Sequence, residues 1–358
     1  MSSRIQVLHL LGNATHDNTA ICKLVETMVQ GVDPVRFEHH VWFLGEDGPW
    51  KEHMSATGVK VKHVPWRADR RRDIGGAWRF RRAIKTQPFD IIHQHFGSRG
   101  LRWIAQTFST AKIVFHMHLR IAERDGIAPG TIRTDGADSV IAISRAVAAS
   151  AEGIRPHVIY PGINVPQISR SADHKTNNTI GFVGRLEPVK GLSALIKAMS
   201  FVKMFVPDVR LQVAGDGSQR TSLEKYVEQC GVGDIVDFLG HREDIENVMK
   251  GWKLLVVPSL EEGFGMAALE AMSLGVPVLA RNVSGLTELI NDNATGWLFH
   301  EDDSISLANR ITMLLRDDAK LGIVALAAQH YVSVKFTAPR MCKEIEDIYN
   351  SLLGTPVA

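Results

Sequence analysis

Two cations, two carboxylates and a group of glycines in the second half of the chain have the types and spacing to hold a diphosphate ester. Residues Gly184 to Gly191 read GRLEPVKG. Gly184 permits a tight turn, Arg185 supplies a planar fork of donors, and Lys190 supplies a mobile point charge. Both cations lie beside the start of a helical pattern, whose free first-turn amides also favour anions. Residues Pro258 to Ala280 read PSLEEGFGMAALEAMSLGVPVLA. Gly263 and Gly265 flank Phe264 and let the backbone approach a ligand closely. A helix is expected from near Met266 to Gly275. Glu262 and Glu270 are eight positions apart. A helical phase of about 80° would then bring both carboxylates to one ligand from successive turns. On this reading Glu262 binds a sugar hydroxyl, Glu270 a ribose hydroxyl pair, and Arg185 with Lys190 stabilises a departing diphosphate. The plain alternatives are a surface loop with two solvated cations and an ordinary helix-surface glutamate.

A metal-dependent transferase usually presents Asp-x-Asp at a strand end to hold a cation on the phosphates. The chain has no Asp-x-Asp. The expectation is therefore no metal and no cofactor, with Arg185, Lys190 and helix amides in the metal's place.

These residues need strands to carry them. Short apolar runs at Ile5–Leu11, Glu38–Leu44, Asp90–His93, Lys112–His116 and Ser139–Ile143 read as buried strands. A second series lies at Thr179–Val183, Arg210–Ala214, Ile235–Phe238, Leu254–Val257 and Val276–Ala280. Amphipathic stretches such as Ala20–Gln30 separate them. Strand–helix alternation repeated twice predicts an α/β chain of two Rossmann-like, doubly wound parallel-sheet domains. In such folds ligands bind at the carboxyl ends of strands, where both glycine-rich segments stand. The boundary is expected near Tyr160-Pro161-Gly162 and the polar stretch from Gln167 to Asn178. This gives a domain at 1–165, a second at 166–336, and a final helical stretch at 337–358.

Composition fits that plan. The chain has 358 residues, 45% hydrophobic and 22% charged, enough for two ordinary domains. No apolar run reaches the length of a membrane span. Ile5–Leu11 reads as a first strand, not a signal peptide. Cys22, Cys230 and Cys342 are scattered and odd in number, which fits neither a disulfide framework nor a zinc site; a cytoplasmic location is expected. The net charge of +2 is unevenly placed: residues 1–165 have 22 Lys+Arg against 15 Asp+Glu, and the remainder 19 against 24. The first half therefore offers a positive field.

The segment from Gly181 to Phe299 resembles the donor domain of family 4 retaining glycosyltransferases, which have the GT-B fold of two domains facing a cleft. It shows G-R-L-x-P-x-K-G, V-A-G-D-G at Val213–Gly217, F-L-G at Phe238–Gly240, P-S-x-x-E-G-F-G-x-x-x-x-E, G-x-P-V and D-N-x-T-G-W-L-F, in the family's order. Together these are highly specific, whereas one glycine-rich loop is weak. The resemblance implies that Arg185 and Lys190 clamp the diphosphate and that Glu262 holds the donor sugar beside Gly263 and the amides of Phe264 and Gly265. It also implies that Glu270 binds ribose, that Gly215 and Asp216 line the nucleotide, and that His241 and Arg242 border the base.

The first half matches less tightly. DIIHQHF, Asp90 to Phe96, resembles the family's D-x-x-H-x-H strand end. IVFHMH, Ile113 to His118, resembles a strand ending in T-x-H, with His116 in place of threonine. His118 then matches the histidine that reaches the transferred sugar; the alternative is a structural histidine. Residues Ala142 to Asn164 resemble the family's crossover, with Asn164 where aspartate is common. The family often has two glycines and a glutamate in the first loop. Here it reads GNATHD and Gly12 alone matches, so Gly12, Asn13, His16 and Asp17 are expected to meet an acceptor that the family does not identify. The final stretch, Thr337 to Leu353, is expected to cross back onto the first domain, as in the family.

The segment Trp66 to Arg82 holds seven arginines with Trp66, Trp78 and Phe80. Basic residues beside aromatics suit an anionic membrane surface, and Arg67–Arg82 is the expected contact at the inner face of a membrane. Nucleic acid is not an expected partner, because no nucleic-acid fold accompanies the patch. The expected activity is retaining transfer of a sugar from a UDP- or GDP-sugar to a glycan or lipid-linked acceptor, in cell-surface polysaccharide or glycolipid synthesis. The rivals are a sugar-nucleotide epimerase or hydrolase of the same fold and a catalytically dead sugar-nucleotide-binding protein. A nicotinamide dehydrogenase is disfavoured, since no G-x-G-x-x-G follows the first strand.

Overall fold

The computed structural model describes residues 4–66, 73–96, 99–119, 132–166, 177–300 and 303–354. The chain divides into two compact units, Met1–Asn164 with Phe336–Ala358, and Val165–Lys335. Most of the polar stretch expected as a linker, residues 167–176, lies outside the described residues.

The first unit contains strands β1 (Ile5–Leu11), β2 (Phe37–Phe43), β3 (Lys60–His63), β4 (Ile91–Gln94), β5 (Lys112–Met117), β6 (Ile132–Arg133), β7 (Ser139–Ala142), β8 (Ala151–Glu152) and β9 (His157–Val158). Seven of these form one sheet in the order β3-β2-β1-β4-β5-β7-β9, and β6 pairs with β8 alone. Every pairing is parallel. Parallel strands need crossovers that cover the sheet, so β1 and β7 read as largely apolar runs, while β4 buries His93 and Gln94 beside two isoleucines. The short β3 and β9 have half-exposed patterns and carry no such run, which is why they escape sequence inspection.

The second unit contains β10 (Thr179–Val183), β11 (Arg210–Ala214), β12 (Val236–Gly240), β13 (Leu254–Val257), β14 (Val278–Arg281) and β15 (Trp297–Phe299). They form one sheet in the order β12-β11-β10-β13-β14-β15, again all parallel. The order reverses between β10 and β13, which defines the switch point of a doubly wound sheet. Phe182, Leu195, Met199, Leu211, Val213, Leu254, Trp297 and Phe299 are among its fully buried core. A Cβ on Gly181 would stand 1.9 Å from the Trp252 ring, so this strand glycine makes room for an indole. That indole donates its N–H to Gln212 Oε1 at 2.8 Å.

The last helix, Ala338–Leu353, is capped by Thr337, whose hydroxyl accepts from the Arg340 amide. Its apolar face buries Met341, Cys342, Ile345 and Tyr349. It packs on the first unit. Gly31 leaves space for Cys342, Glu346 accepts from the Asp33 amide at 2.8 Å, and Arg36 donates to Asn350 at 2.7 Å.

The basic segment does not behave as one patch. Arg67, Arg70, Arg71 and Arg72 lie outside the described residues. Trp66 and Phe80 stack at 5.4 Å and are buried, so these two aromatics belong to the core, contrary to the surface reading. Asp73 caps the helix Ile74–Thr86, and Gly76 gives Trp66 room against it. Ile74 and Trp78 are exposed, with Arg82 over the Trp78 ring.

Candidate functional site

Four strands of the second unit send their carboxyl-end loops toward the switch point. After β10 the chain runs through Gly184 and Arg185 to Lys190. After β11 it turns at Gly215, whose φ is +134° and whose Cβ would lie 2.0 Å from the Gly184 carbonyl oxygen. Only glycine allows that backbone contact. The Leu186 amide donates to the Asp216 carbonyl at 2.8 Å, and the Gly215 amide donates to the Gly240 carbonyl at 2.8 Å. These bonds tie the loops after β10, β11 and β12 together. Gly191 does the same on the other side: its Cβ would meet the Pro258 carbonyl at 2.2 Å, and the Leu260 amide donates to Val189 at 2.8 Å.

The centre of the arrangement is an ion pair. Lys190 Nζ donates to Glu262 Oε1 at 2.5 Å, and Ser259 Oγ donates to the same oxygen at 3.0 Å. Both charged side chains are largely screened, 20% and 16% exposed. Behind Glu262 stands Gly285, where a Cβ would press on the backbone of Glu262 and Gly263 at 2.6 Å. The loop carrying Glu262 is therefore clamped by a serine three residues earlier and by a glycine 23 residues later. Ser259 was not singled out from the sequence; its spacing of three from Glu262 is the one local signal for it.

Gly265 has φ +100° and caps the helix Met266–Ser273. This corrects the helical-phase argument: Glu262 lies in the loop before that helix, and only Glu270 is on it. The shared reach of the two carboxylates must come from loop geometry, not from a common helix. Glu270 is partly exposed in the last half of the helix. Phe264 is 1% exposed, so its side chain is core and only its backbone can meet a ligand. Arg185 and Asp216 are exposed, and Asp216 Oδ1 accepts from the Gly217 amide. Arg242 is held by Asp244 in a bidentate pair at 2.8 and 2.7 Å. That pairing raises the Arg242 pKa and lowers that of Asp244. His241, beside it, is exposed.

In the first unit the switch point lies between β1 and β4. A Cβ on Gly12 would sit 3.2 Å from the Phe96 ring that follows β4. Asn13 Oδ1 accepts from the Glu46 amide at 3.0 Å, so its carbonyl is spent on tying two loops. His16 is exposed, and Asp17 shares its single turn, His16–Asn18. His118 follows β5 and is buried.

His118 belongs to a larger group of six histidines. His9, His39, His93, His95, His116 and His118 all face one side of the sheet. His39 Nδ1 and His9 Nε2 are 2.9 Å apart, His9 Nδ1 and His95 Nε2 3.0 Å, and His95 Nδ1 and His118 Nε2 3.0 Å. A second line joins Tyr349 Oη to His93 Nδ1 at 2.5 Å and His93 Nε2 to His116 Nδ1 at 3.2 Å. Burial pushes His118 down to about 3 and His39 to about 4, and holds the other four well below the usual range. Burial therefore favours the neutral form of each ring. Two triads, His9/His93/His95 and His95/His116/His118, bring ligand atoms within 4.8 Å of one another. Among the described residues these are the groups whose ligand atoms could meet at one metal, although their nitrogens already bond other histidines. The signal in the sequence was the repeated His-x-His, which places both rings of each strand on one face.

Among the described residues no helix is long and apolar enough to cross a membrane. Two family patterns match the chain. "Glycosyltransferase Family 4" matches residues 23–167 and "Glycosyl transferases group 1" matches residues 165–328. The D-inositol 3-phosphate glycosyltransferase of Corynebacterium urealyticum is 27% identical over 310 residues, 75% of this chain and 73% of its own. That of Xylanimonas cellulosilytica is 29% identical over 284 residues, 67% of each. Anabaena HepE, solved in complex with UDP-glucose, superposes with a TM-score of 0.80 at 22% identity, covering 97% of this chain and 100% of its own. Sucrose-phosphate synthase from Thermosynechococcus elongatus gives 0.78 at 20%, covering 98% and 100%. With both halves matched and the two-sheet architecture shared, this chain belongs to the family 4, group 1 glycosyltransferases of GT-B fold.

Proposed function

We propose that this protein transfers a sugar from a nucleotide-diphosphate sugar to a glycan or lipid-linked acceptor, with retention at the anomeric carbon and without a metal. The observation that carries this reading is the Lys190–Glu262 pair held at the switch point by Ser259 and the glycine cradle. Lys190 has three donors. It can keep Glu262 while turning another N–H to a phosphate oxygen, with Arg185 free on the surface to supply a second, bidentate contact. As the sugar–phosphate bond breaks, negative charge grows on the departing diphosphate, and preorganised cations stabilise that charge most. Glu262 orients a sugar hydroxyl, and Glu270 the ribose. Gly215 and Asp216 line the nucleotide, and His241 and Arg242 border the base. The leaving phosphate takes the proton of the acceptor hydroxyl on the same face, which gives retention.

A UDP-sugar is the first donor to test, because a structural neighbour was solved with UDP-glucose. An inositol phosphate is the first acceptor to test, because the curated relatives are named for one. Gly12, Asn13 through its Nδ2, His16 and Asp17 are assigned to the acceptor. Thermal-shift screening of UDP-, GDP- and ADP-sugars, followed by product anomer analysis, tests the proposal. Donor consumption without any acceptor would favour the epimerase or hydrolase reading; no nucleotide release with any pair would favour a dead site.

A cytoplasmic protein acting on a lipid-linked acceptor gains from docking on the inner membrane face. Exposed Ile74 and Trp78 beside Arg82 support such a surface. Sedimentation with anionic vesicles tests it, and binding that survives neutralisation of Arg70, Arg71 and Arg72 would discard it.

A further inference from the structure

The four rings His39, His9, His95 and His118 form a single head-to-tail chain from β2 and β1 to the residues that follow β4 and β5. Each link joins a δ nitrogen to an ε nitrogen, so every ring uses a different nitrogen for each neighbour. A neutral imidazole has one N–H and one lone pair. Four neutral rings therefore bring four N–H groups to three links, and one N–H must emerge at an end. Each link needs one donor and one acceptor, so once one end nitrogen bears no proton every ring is held to a single N–H.

The two ends differ. At one end, His39 Nε2 is sealed from solvent and has no hydrogen-bond partner among the described residues. At the other, the nitrogen outside the chain is His118 Nδ1, just past the carboxyl end of β5, the edge where ligands reach a doubly wound sheet, whereas His39 is near the start of β2. A buried N–H without an acceptor is the rarer and costlier orphan. The spare proton is therefore excluded from the His39 end.

We infer that the histidine chain is polarised from His39 to His118 and fixes His118 as the Nδ1–H tautomer, presenting a hydrogen-bond donor at the carboxyl end of the first sheet. His39, His9 and His95 are then positioning residues: they touch no substrate and act through the proton order of the chain. The effect on turnover rests on the transferase reading; the tautomer does not. The second line, Tyr349–His93–His116, is separate from the chain by its hydrogen bonds.

The test is the nitrogen-15 spectrum of the labelled protein at neutral pH, with the His118 ring signals identified by their loss in His118→Asn. The expected result is a protonated Nδ1 and an unprotonated Nε2. The opposite pattern overturns the inference, as does protein that purifies with stoichiometric metal on these rings. Position 39 then controls the far end. His39→Asp offers only an acceptor to His9 Nε2, so every link should reverse and the two His118 signals exchange character. His39→Asn can accept or donate and should keep the wild-type pattern. In turnover, His39→Asp should lose about tenfold or more in kcat, as wrong tautomers do, with donor KM little changed and His39→Asn near normal. Exchanged signals with unchanged kcat would refute the positioning role. If His39→Asp does not fold, the wild-type spectrum still decides the polarity. The spectra need no substrate, so failure of the transferase reading would show as absent turnover with the tautomer result intact.

Discussion

Lys190 and Glu262, 72 residues apart in sequence, share a hydrogen bond of 2.5 Å that joins the loops on either side of the second sheet's switch point. The pair couples the two tasks assigned to these loops, holding phosphate and holding sugar. A half-buried pair of this kind adds little net stability but is costly to break on one side, because the remaining charge loses its partner.

Glu262→Ala leaves Lys190 without its partner and should cost some stability without unfolding the chain, while lowering kcat by about 10²–10³, the scale of losing one preorganised transition-state contact. Lys190→Ala should fall in the same range, and the double variant should lose much less than the sum, since the two act together. Steady-state kinetics with circular dichroism checks this. Near-normal turnover in Glu262→Ala would remove it from the site.

Gly215→Ala tests the cradle. The new methyl would stand 2.0 Å from the Gly184 carbonyl oxygen at a φ of +134°. The expected cost is about 1–3 kcal/mol of stability for a strained residue, with a raised KM for the donor. Differential scanning fluorimetry and donor titration read both. An unchanged melting temperature would mean that the two loops separate freely.

Activity should persist after dialysis against EDTA, because the assigned diphosphate contacts are Arg185, Lys190 and backbone amides. Complete loss that magnesium or manganese restores would overturn the metal-independent mechanism. Loss restored by zinc alone would redirect attention to the two histidine triads.

The histidines predict an acid limit. Burial lowers the pKa of all six, with His118 near 3 and His39 near 4. An unfolded chain protonates them near 6.5, so the unfolded state binds more protons in acid. The stability they contribute is complete above about pH 6.5 and is lost as pH falls toward 4 and 3. Urea midpoints measured from pH 7.5 to 4 should fall steadily below pH 6.5, and a flat profile would contradict the buried, neutral cluster.

Much of this was open to inspection in the residues. β1, β10, β11 and β13 coincide with their expected spans end to end, because strands covered on both faces need mostly apolar sequence. β2 begins one residue before its expected start and β14 two residues after, since hydrogen bonding and not hydropathy sets strand ends. The glycine-rich loops were also evident, because a backbone that must approach another backbone or take positive φ tolerates little else. Phe80 and Trp66 misled, because basic neighbours gave a buried stack the look of a surface.

The sequence alone determined two doubly wound parallel-sheet units and the loops that carry Arg185, Lys190, Glu262 and Glu270, since periodicity and glycine placement are local properties of the chain. Only the tertiary structure decided that Lys190 bonds Glu262, that Ser259 steadies it, and that histidines from four strands join in one line. Those relations depend on which strands lie side by side and in what register, and pairing partners far apart in the chain leave no local trace.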